Sequence, residues 1–390
     1  MGRSLELFTG AGGLALASHL SGFHHAGLFE WNQDACDTLR ENSKARALSG
    51  IGTWASRLVQ GNVETVDFRR YEGVDLVAGG PPCQPFSLGG LHAGREDRRD
   101  MIPQFIRSIR EARPRAFVME NVRGLARKSF ATYLEYTKLQ LAYPHLIRKP
   151  KEGWDRHFRR LQQRHTSIAD NGDELTYNVL FSDVRNAADY GVPQCRDRIF
   201  LVGFRSDVDA HWSFPEPTHS AAALLYEKWV TGEYWQRLGL SRPQMPNGLS
   251  SNKIKSEGCK PWVTLREAIR DLPEPFPAQD DKDGIQNHRL QKGARPYPGH
   301  TGSPLDHPAK ALKAGGHGVP GGENMIAFDD GSYRYLTVRE SARVQTFPDT
   351  WHFRGAWSEA MRQLGNAVPV RLAKVVTDSV ASKLRLKRIS

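Results

Sequence analysis

The chain has 390 residues, a net charge of +11 and four cysteines. That length supports a full hydrophobic core and more than one domain. No stretch approaches the roughly 20 apolar residues that span a bilayer and no signal pattern precedes the first apolar run, so the expectation is a cytoplasmic protein with no membrane partner. Cys36, Cys83, Cys195 and Cys259 form no Cys-x-x-Cys pair, and the 14 histidines show no His-Glu-x-x-His spacing, so neither a disulfide framework nor a metal site is indicated.

The first two hundred residues alternate strand and helix. Residues 5–9 form an apolar run, 14–20 have helical spacing, 26–30 form a second strand, and 32–42 read as a helix with Asn32 or Asp34 near its start. The pattern repeats with a strand at 74–78, a helix at 101–111, a strand at 116–119, a helix at 130–141, and strands at 177–184 and 199–204. Such alternation predicts an α/β fold, a parallel sheet with helices on both faces and ligands at the carboxyl ends of the strands. The polar, Arg-rich stretch from Tyr143 to Thr176 reads as an insertion.

After Arg205 the chain turns rich in Pro, Gly, Trp, Tyr and His, predicting a second domain made largely of loops. Trp212, Trp229, Trp235 and Trp262 are too many large apolar groups for a disordered linker. Regular pattern resumes at Tyr335, and 369–384 reads as a closing helix. Charge divides unevenly: Leu91 to Arg164 carries 18 Lys and Arg against 8 Asp and Glu, whereas Ser206 to Tyr333 carries 14 against 16. A basic stretch there can supply phosphate contacts, although solvated basic faces are also common on ordinary domains.

Two loops carry chemistry. Phe8-Thr9-Gly10-Ala11-Gly12-Gly13-Leu14 joins strand to helix with the Gly-x-Gly-x-x-Ala spacing of a dinucleotide turn, a weak signal alone. Glu30 ends the second strand about 20 residues on, where an acid can hold both hydroxyls of a ribose, and Trp31 offers a flat surface for an adenine. Glu30 can equally be an acid at a helix start. The second loop, residues 79–87, reads Gly-Gly-Pro-Pro-Cys-Gln-Pro-Phe-Ser. Prolines fix the backbone beside Cys83 and the glycines allow a sharp turn, a frame suited to a positioned nucleophile.

These segments, with Met119–Val122, Gln194–Arg198, Arg339–Pro348 and Gln363–Val368 in the same order, resemble the DNA cytosine-5 methyltransferases of bacterial or phage type over nearly the whole chain. The resemblance implies a Rossmann-like methyltransferase sheet with a smaller loop-rich target-recognition domain. Residues 1–205, completed by 357–390, would be the catalytic and cofactor-binding domain, and 206–356 the target-recognition domain and hinge. It implies Cys83 as the nucleophile at cytosine carbon 6, Glu120 at ring nitrogen 3 and the exocyclic amine, Arg198 at the base carbonyl, Arg196 supporting the loop and nearby phosphate, and the Pro81 carbonyl accepting from the amine.

S-adenosylmethionine is the implied cofactor and S-adenosylhomocysteine its product, lined by Phe8, Gly10, Ala11, Gly12, Gly13, Leu14, Glu30, Trp31, Asn62, Val63, Pro82 and Asn366. Asn62 stands where many members have Asp, and its amide oxygen can still accept from an adenine amine. The segment 89–99 resembles the loop that closes over an extruded base, with Ser87, Arg95, Arg98 and Arg99 on DNA. The implied partner is double-stranded DNA, met in the cytoplasm at the nucleoid. The chain is expected to act as a monomer without metal; a cognate restriction endonuclease, where one accompanies it, would act separately.

The residue types fit that chemistry. A thiolate adding at carbon 6 turns the ring into an enamine able to attack a sulfonium methyl, and a carboxyl of raised pKa can share a proton at ring nitrogen 3. A tRNA cytosine-5 methyltransferase of the same fold would share Cys83 and Glu120 but carry a Cys-Phe-Thr tripeptide, which this chain lacks. A silent DNA-binding relative would have lost Cys83, Glu120 or the arginines, and a nucleotide-dependent oxidoreductase would leave the proline-framed cysteine unexplained.

Overall fold

Strand β1 (Gly2–Leu7) runs into the glycine turn and helix α1 (Gly13–Leu20); β2 (Phe23–Glu30) leads to α2 (Gln33–Ala45), α3 (Trp54–Arg57) and β3 (Leu58–Gln60). Then come β4 (Leu76–Gly79), α4 (Ile102–Ala112), β5 (Ala116–Val122), α5 (Ala131–Ala142), α6 (Trp154–Thr166), β6 (Tyr177–Phe181), β7 (Arg185–Asn186) and β8 (Asp197–Arg205). The next stretch holds β9 (His219–Ser220), α7 (Ala221–Tyr226), α8 (Glu233–Leu238), β10 (Lys260–Pro261), α9 (Leu265–Ile269), β11 (Ser303–Pro304), β12 (Met325–Ala327) and β13 (Tyr333–Tyr335). Helices α10 (Val338–Val344), α11 (Trp357–Asn366) and α12 (Val370–Lys383) follow. This computed structural model describes residues 1–82, 100–167, 174–255, 258–275, 285–314 and 324–386.

The main sheet has the order β3-β2-β1-β4-β5-β8-β6, with β7 beside β8. Its first five strands are parallel, as the strand-helix alternation predicts. The expectation of a wholly parallel sheet needs correcting beyond β5: β8 runs antiparallel to β5, β6 and β7. β6 also stops at Phe181, short of the expected Val184, which is exposed.

Alternation along each strand sends side chains to two cores. Leu5, Leu7, Val77, Phe117 and Met119 meet Phe105, Ile106 and Ile109 of α4 on one face. On the other, Ala78, Val118, Phe200 and Val202 join Leu14 and Leu16 of α1 and Leu372, Val376 and Val380 of α12. Each fully buried Val or Leu is worth about 1.5–3 kcal/mol, so docking α12 is a substantial part of the fold's stability. Glu120, two residues after Val118, faces the α1 and α12 side by the same alternation, at the carboxyl end of β5.

Packing crosses the expected domain boundary. Val338, Ala342, Val344, Phe347, Trp351 and Phe353, with Leu265, Leu305 and Leu312, belong to the core under α1 and α12. A separate cluster of Leu224, Trp229, Tyr234 and Trp235 remains in the second region. The tryptophans are ordered as expected: Trp212 donates to Ser379 at 2.9 Å and Trp262 to Asp189 at 2.9 Å. The 143–176 insertion contains α6, which packs on α5 through Tyr136, Leu139 and Leu161. Among the described residues, no helix is long and apolar enough to cross a membrane.

β1 also buries a charge-bearing group. Glu6 is 1% exposed and its Oε2 has no hydrogen-bond partner, and burial raises its pKa well above 4.5. The folded chain therefore keeps a proton that the unfolded chain releases above that value, and stability falls as pH rises through this window. Glu6→Gln removes that slope. Thermal melts of the ligand-free protein should show the variant gaining a few degrees over the parent at pH 8 and nothing near pH 4. Identical pH slopes in the two proteins would refute this account.

Candidate active site

The parallel strands end at one edge of the sheet, and the loops that leave them build the site. After β1, Phe8 and Gly10 hold left-handed φ values of 56° and 54°. A Cβ on Gly10 would enter open space, whereas one on Gly13 would lie 2.5 Å from the Val368 carbonyl oxygen. Gly10 thus leaves the turn open, and Gly13 permits close packing on the chain between α11 and α12. Gly12 packs against Leu39 and Trp351. Ala11 and Leu14 are core residues, so the part of the turn facing outward is Phe8 and Gly10.

Glu30 ties this turn to the end of β2. Its carboxylate accepts from the backbone N–H of Gly10 at 2.7 Å, Trp31 at 2.9 Å and Asn32 at 2.8 Å. Both readings of Glu30 therefore have a basis: it neutralises amides ahead of α2 and presents a fixed carboxylate beside the glycine turn. Asn32 caps α2 by accepting from Ala35 at 2.9 Å. Trp31 is 78% exposed beside Glu30, an unusual position for so large an apolar ring.

Asn62 caps the turn after β3, its Oδ1 accepting from Glu64 N at 3.0 Å and its Nδ2 donating to Glu64 Oε2 at 2.9 Å. Its amide oxygen keeps a second lone pair for a ligand. Val63 is buried, and its carbonyl accepts from Arg107 Nη2 at 2.8 Å.

At the end of β4 both proline carbonyls are held. Asn121 Nδ2 donates to Pro81 O at 3.2 Å, and Met101 N donates to Pro82 O at 3.1 Å. Cys83, directly after Pro82, lies outside the described residues, as do Ser87, Arg95, Arg98, Arg99 and the whole 89–99 loop. The two carbonyl contacts fix the chain on the approach to Cys83. Asn121 was not singled out in the sequence; its place within the Glu-Asn-Val run was the available signal.

Glu120 is 7% exposed, and Arg198 Nε lies 2.5 Å from its Oε1. The Arg198 Nε–H is not aligned on an acceptor, so the contact is a charge pair more than a directed hydrogen bond. Burial raises the Glu120 pKa, and the positive charges of Arg198 and Arg196 moderate the rise. Gly80 explains part of the glycine-proline frame: a Cβ there would lie 2.8 Å from Glu120 Oε2. Glycine at 80 leaves room for the carboxyl as well as for the turn.

Arg196 does not take the expected place near a phosphate. It is 2% exposed, with Nη1 donating to Leu312 O at 2.7 Å and Nη2 to Gly365 O. Gln194 joins this buried tie, accepting from Leu312 N at 2.9 Å and donating to Gln345 at 3.2 Å. Burial and the neighbouring Arg198 lower the Arg196 pKa well below the usual guanidinium range, and its Nη donors are spent on carbonyls inside the fold. Gly365-Asn366 closes α11, and Pro369 caps the next helix; Asn366 is exposed at that end.

The site thus combines a buried acid paired with an arginine, a rigid approach to a thiol, and a glycine turn beside a buried carboxylate and an exposed indole. No group of three His, Cys, Asp or Glu suited to a metal occurs among the described residues.

The profile of the C-5 cytosine-specific DNA methylase family matches residues 2–142 and 157–382. The chain is 30% identical to Type II methyltransferase M.PspPI of Psychrobacter sp. over 97% of its own length and 79% of that protein. It is 28% identical to Type II methyltransferase M.NgoMIV of Neisseria gonorrhoeae over 98% of both. The crystal structure of S. pombe Dnmt2 methyltransferase shares the fold, with a TM-score of 0.56 at 15% identity, covering 98% of this chain and 99% of that one. The chain therefore belongs to the C-5 cytosine-specific DNA methylase family and is a DNA (cytosine-5-)-methyltransferase.

Proposed function

We propose that the enzyme methylates carbon 5 of a cytosine extruded from one short double-stranded DNA sequence, through a covalent adduct between Cys83 and carbon 6, as the modification component of a restriction-modification system. The observation that carries this reading is the buried Glu120–Arg198 pair at the sheet edge where β4 hands the chain to Cys83. Glu120 holds a proton at ring nitrogen 3 while the thiolate adds, and Arg198 holds the base carbonyl. Extruding the base costs a few kcal/mol, which pocket contacts of this kind offset.

S-adenosylmethionine fits the open edge of the first loop and supplies the methyl group as a sulfonium electrophile, leaving as S-adenosylhomocysteine. Glu30 takes the ribose hydroxyls, Trp31 covers the adenine, Asn62 and Val63 meet its edge, and Phe8, Gly10, Pro82 and Asn366 complete the lining. Ala11, Gly12, Gly13 and Leu14 shape the turn from behind. Residues 206–356 read the target bases, and Ser87, Arg95, Arg98 and Arg99 contact DNA. The protein acts as a monomer, and any cognate endonuclease acts separately.

Bisulfite sequencing of DNA from cells expressing the intact chain tests the reading. Methylated cytosines confined to one short motif are expected. Unmethylated DNA, with folded protein that binds S-adenosylmethionine, would overturn it in favour of a tRNA substrate. Trp31→Ala should weaken S-adenosylmethionine binding about tenfold, since stacking on an aromatic ring is worth about 1–3 kcal/mol. Calorimetry reads this directly, and unchanged affinity would remove the adenine from Trp31.

A further inference from the structure

A cavity of about 290 Å³ lies on the outer side of α4 and α5, roofed by the 143–156 segment. Pro144, Leu146, Ile147, Arg148 and Trp154 line it from that segment, which is the internal stretch that the family profile leaves unmatched. Part of the cavity lining is therefore supplied by a stretch outside the family match, while α4 and α5 supply the rest.

Its chemistry is basic and aromatic. Arg107, Arg110 and Arg148 line it, with Asp100 as the one carboxylate among the described lining residues. Arg107 is fully engaged, bonded to Val63 O and Val66 O at 2.8 Å each and paired with Glu111 at 3.1 Å. Arg110 makes no hydrogen bond or ion pair among the described residues, although it is half-buried, and Arg148 commits only Nε, to Glu152 O at 2.6 Å. Burial works against the Arg110 charge, Glu111 supports it and Arg107 opposes it.

Aromatic rings stand beside these guanidinium groups. Tyr136 and Trp154 meet edge to face at 6.2 Å. Tyr136 OH is fixed to His157 Nδ1 at 2.7 Å, and His157 Nε2 to Leu146 O at 2.7 Å. Burial lowers the His157 pKa, so this histidine works as a neutral brace holding the roof to α5.

We propose that this cavity binds a small phosphate ester with an aromatic portion, a nucleoside monophosphate by size, with Arg110 and Arg148 on the phosphate and the Tyr136–Trp154 wall against the ring. Planar guanidinium forks match phosphate oxygens in pairs, and the volume is close to the lower end for small-molecule sites, about 300 Å³. A recess roofed by its own segment suits a free molecule better than the backbone of a rigid duplex. The inference does not depend on the proposed course of methyl transfer.

Titration calorimetry on the intact protein, with S-adenosylhomocysteine in excess to block the proposed cofactor site, tests it with guanosine 5′-monophosphate, inorganic phosphate and a short duplex. The nucleotide should bind more tightly than inorganic phosphate, and Arg110→Ala should weaken it at least tenfold. Arg148→Glu, at the exposed rim, should do the same and serves if the first variant fails to fold. No nucleotide binding, equal affinity for inorganic phosphate, or variants that weaken only the duplex would each overturn the assignment.

Discussion

Cys83→Ala is expected to lower methyl transfer at least about a thousandfold, because the covalent route to an enamine is removed and each factor of ten corresponds to about 1.4 kcal/mol of barrier. Carbon 5 of an unactivated cytosine is a poor nucleophile, and neither Glu120 nor Arg198 can replace a bond at carbon 6. The approach to residue 83 stays fixed in the variant, since Pro81 and Pro82 are held through their carbonyls by Asn121 and Met101. DNA binding should therefore persist. Transfer of a labelled methyl group to duplex DNA, beside a binding assay, gives the result. Residual activity above a tenth of the parent would sink the covalent mechanism.

Glu120→Gln is the second large effect, with a fall in kcat of about 10²–10⁴ expected for loss of a general acid. Glutamine keeps the shape that Gly80 accommodates but cannot deliver a proton. Burial raises the Glu120 pKa above 4.5, against the opposing charges of Arg198 and Arg196. The carboxyl therefore stays protonated below its folded pKa and loses that proton as pH rises through it. Parent activity should decline on the alkaline side of that pKa, and the variant should lose this limb along with its rate. The same shift makes the parent's stability fall as pH rises from about 4.5 towards the folded pKa, and glutamine should flatten that slope. A variant with parental kcat and an unchanged pH profile would remove Glu120 from the chemistry.

Much of this arrangement was legible in the sequence because apolar periodicity is local. Strands β1, β2, β4, β5, β6 and β8, the Asn32 cap and the closing helix could each be read from a dozen neighbouring residues, whereas the short β3 and β7 could not. Strand direction could not: the run that forms β8 reads the same whether it lies parallel or antiparallel to β5. Arg196 shows the same limit at a single side chain. A guanidinium beside a catalytic segment suggests phosphate, but its surroundings are Leu312 and Gly365, more than a hundred residues away. Gly80 was read as turn chemistry, while its contact is with Glu120 across the strand ends. In α6 the apolar spacing of Trp154, Phe158 and Leu161 was present but hidden among arginines and glutamines.

Helix α12 lies against α1, with Thr377 Oγ1 2.7 Å from Ser21 Oγ and Ser379 accepting from Trp212. Gly13 is packed under Val368, just ahead of that helix. Without α12, that face of α1 and the turn loses its apolar cover. Loss of α12 would therefore leave the first loop without its backing, so that a helix more than 350 residues from β1 governs whether the turn that β1 enters is formed.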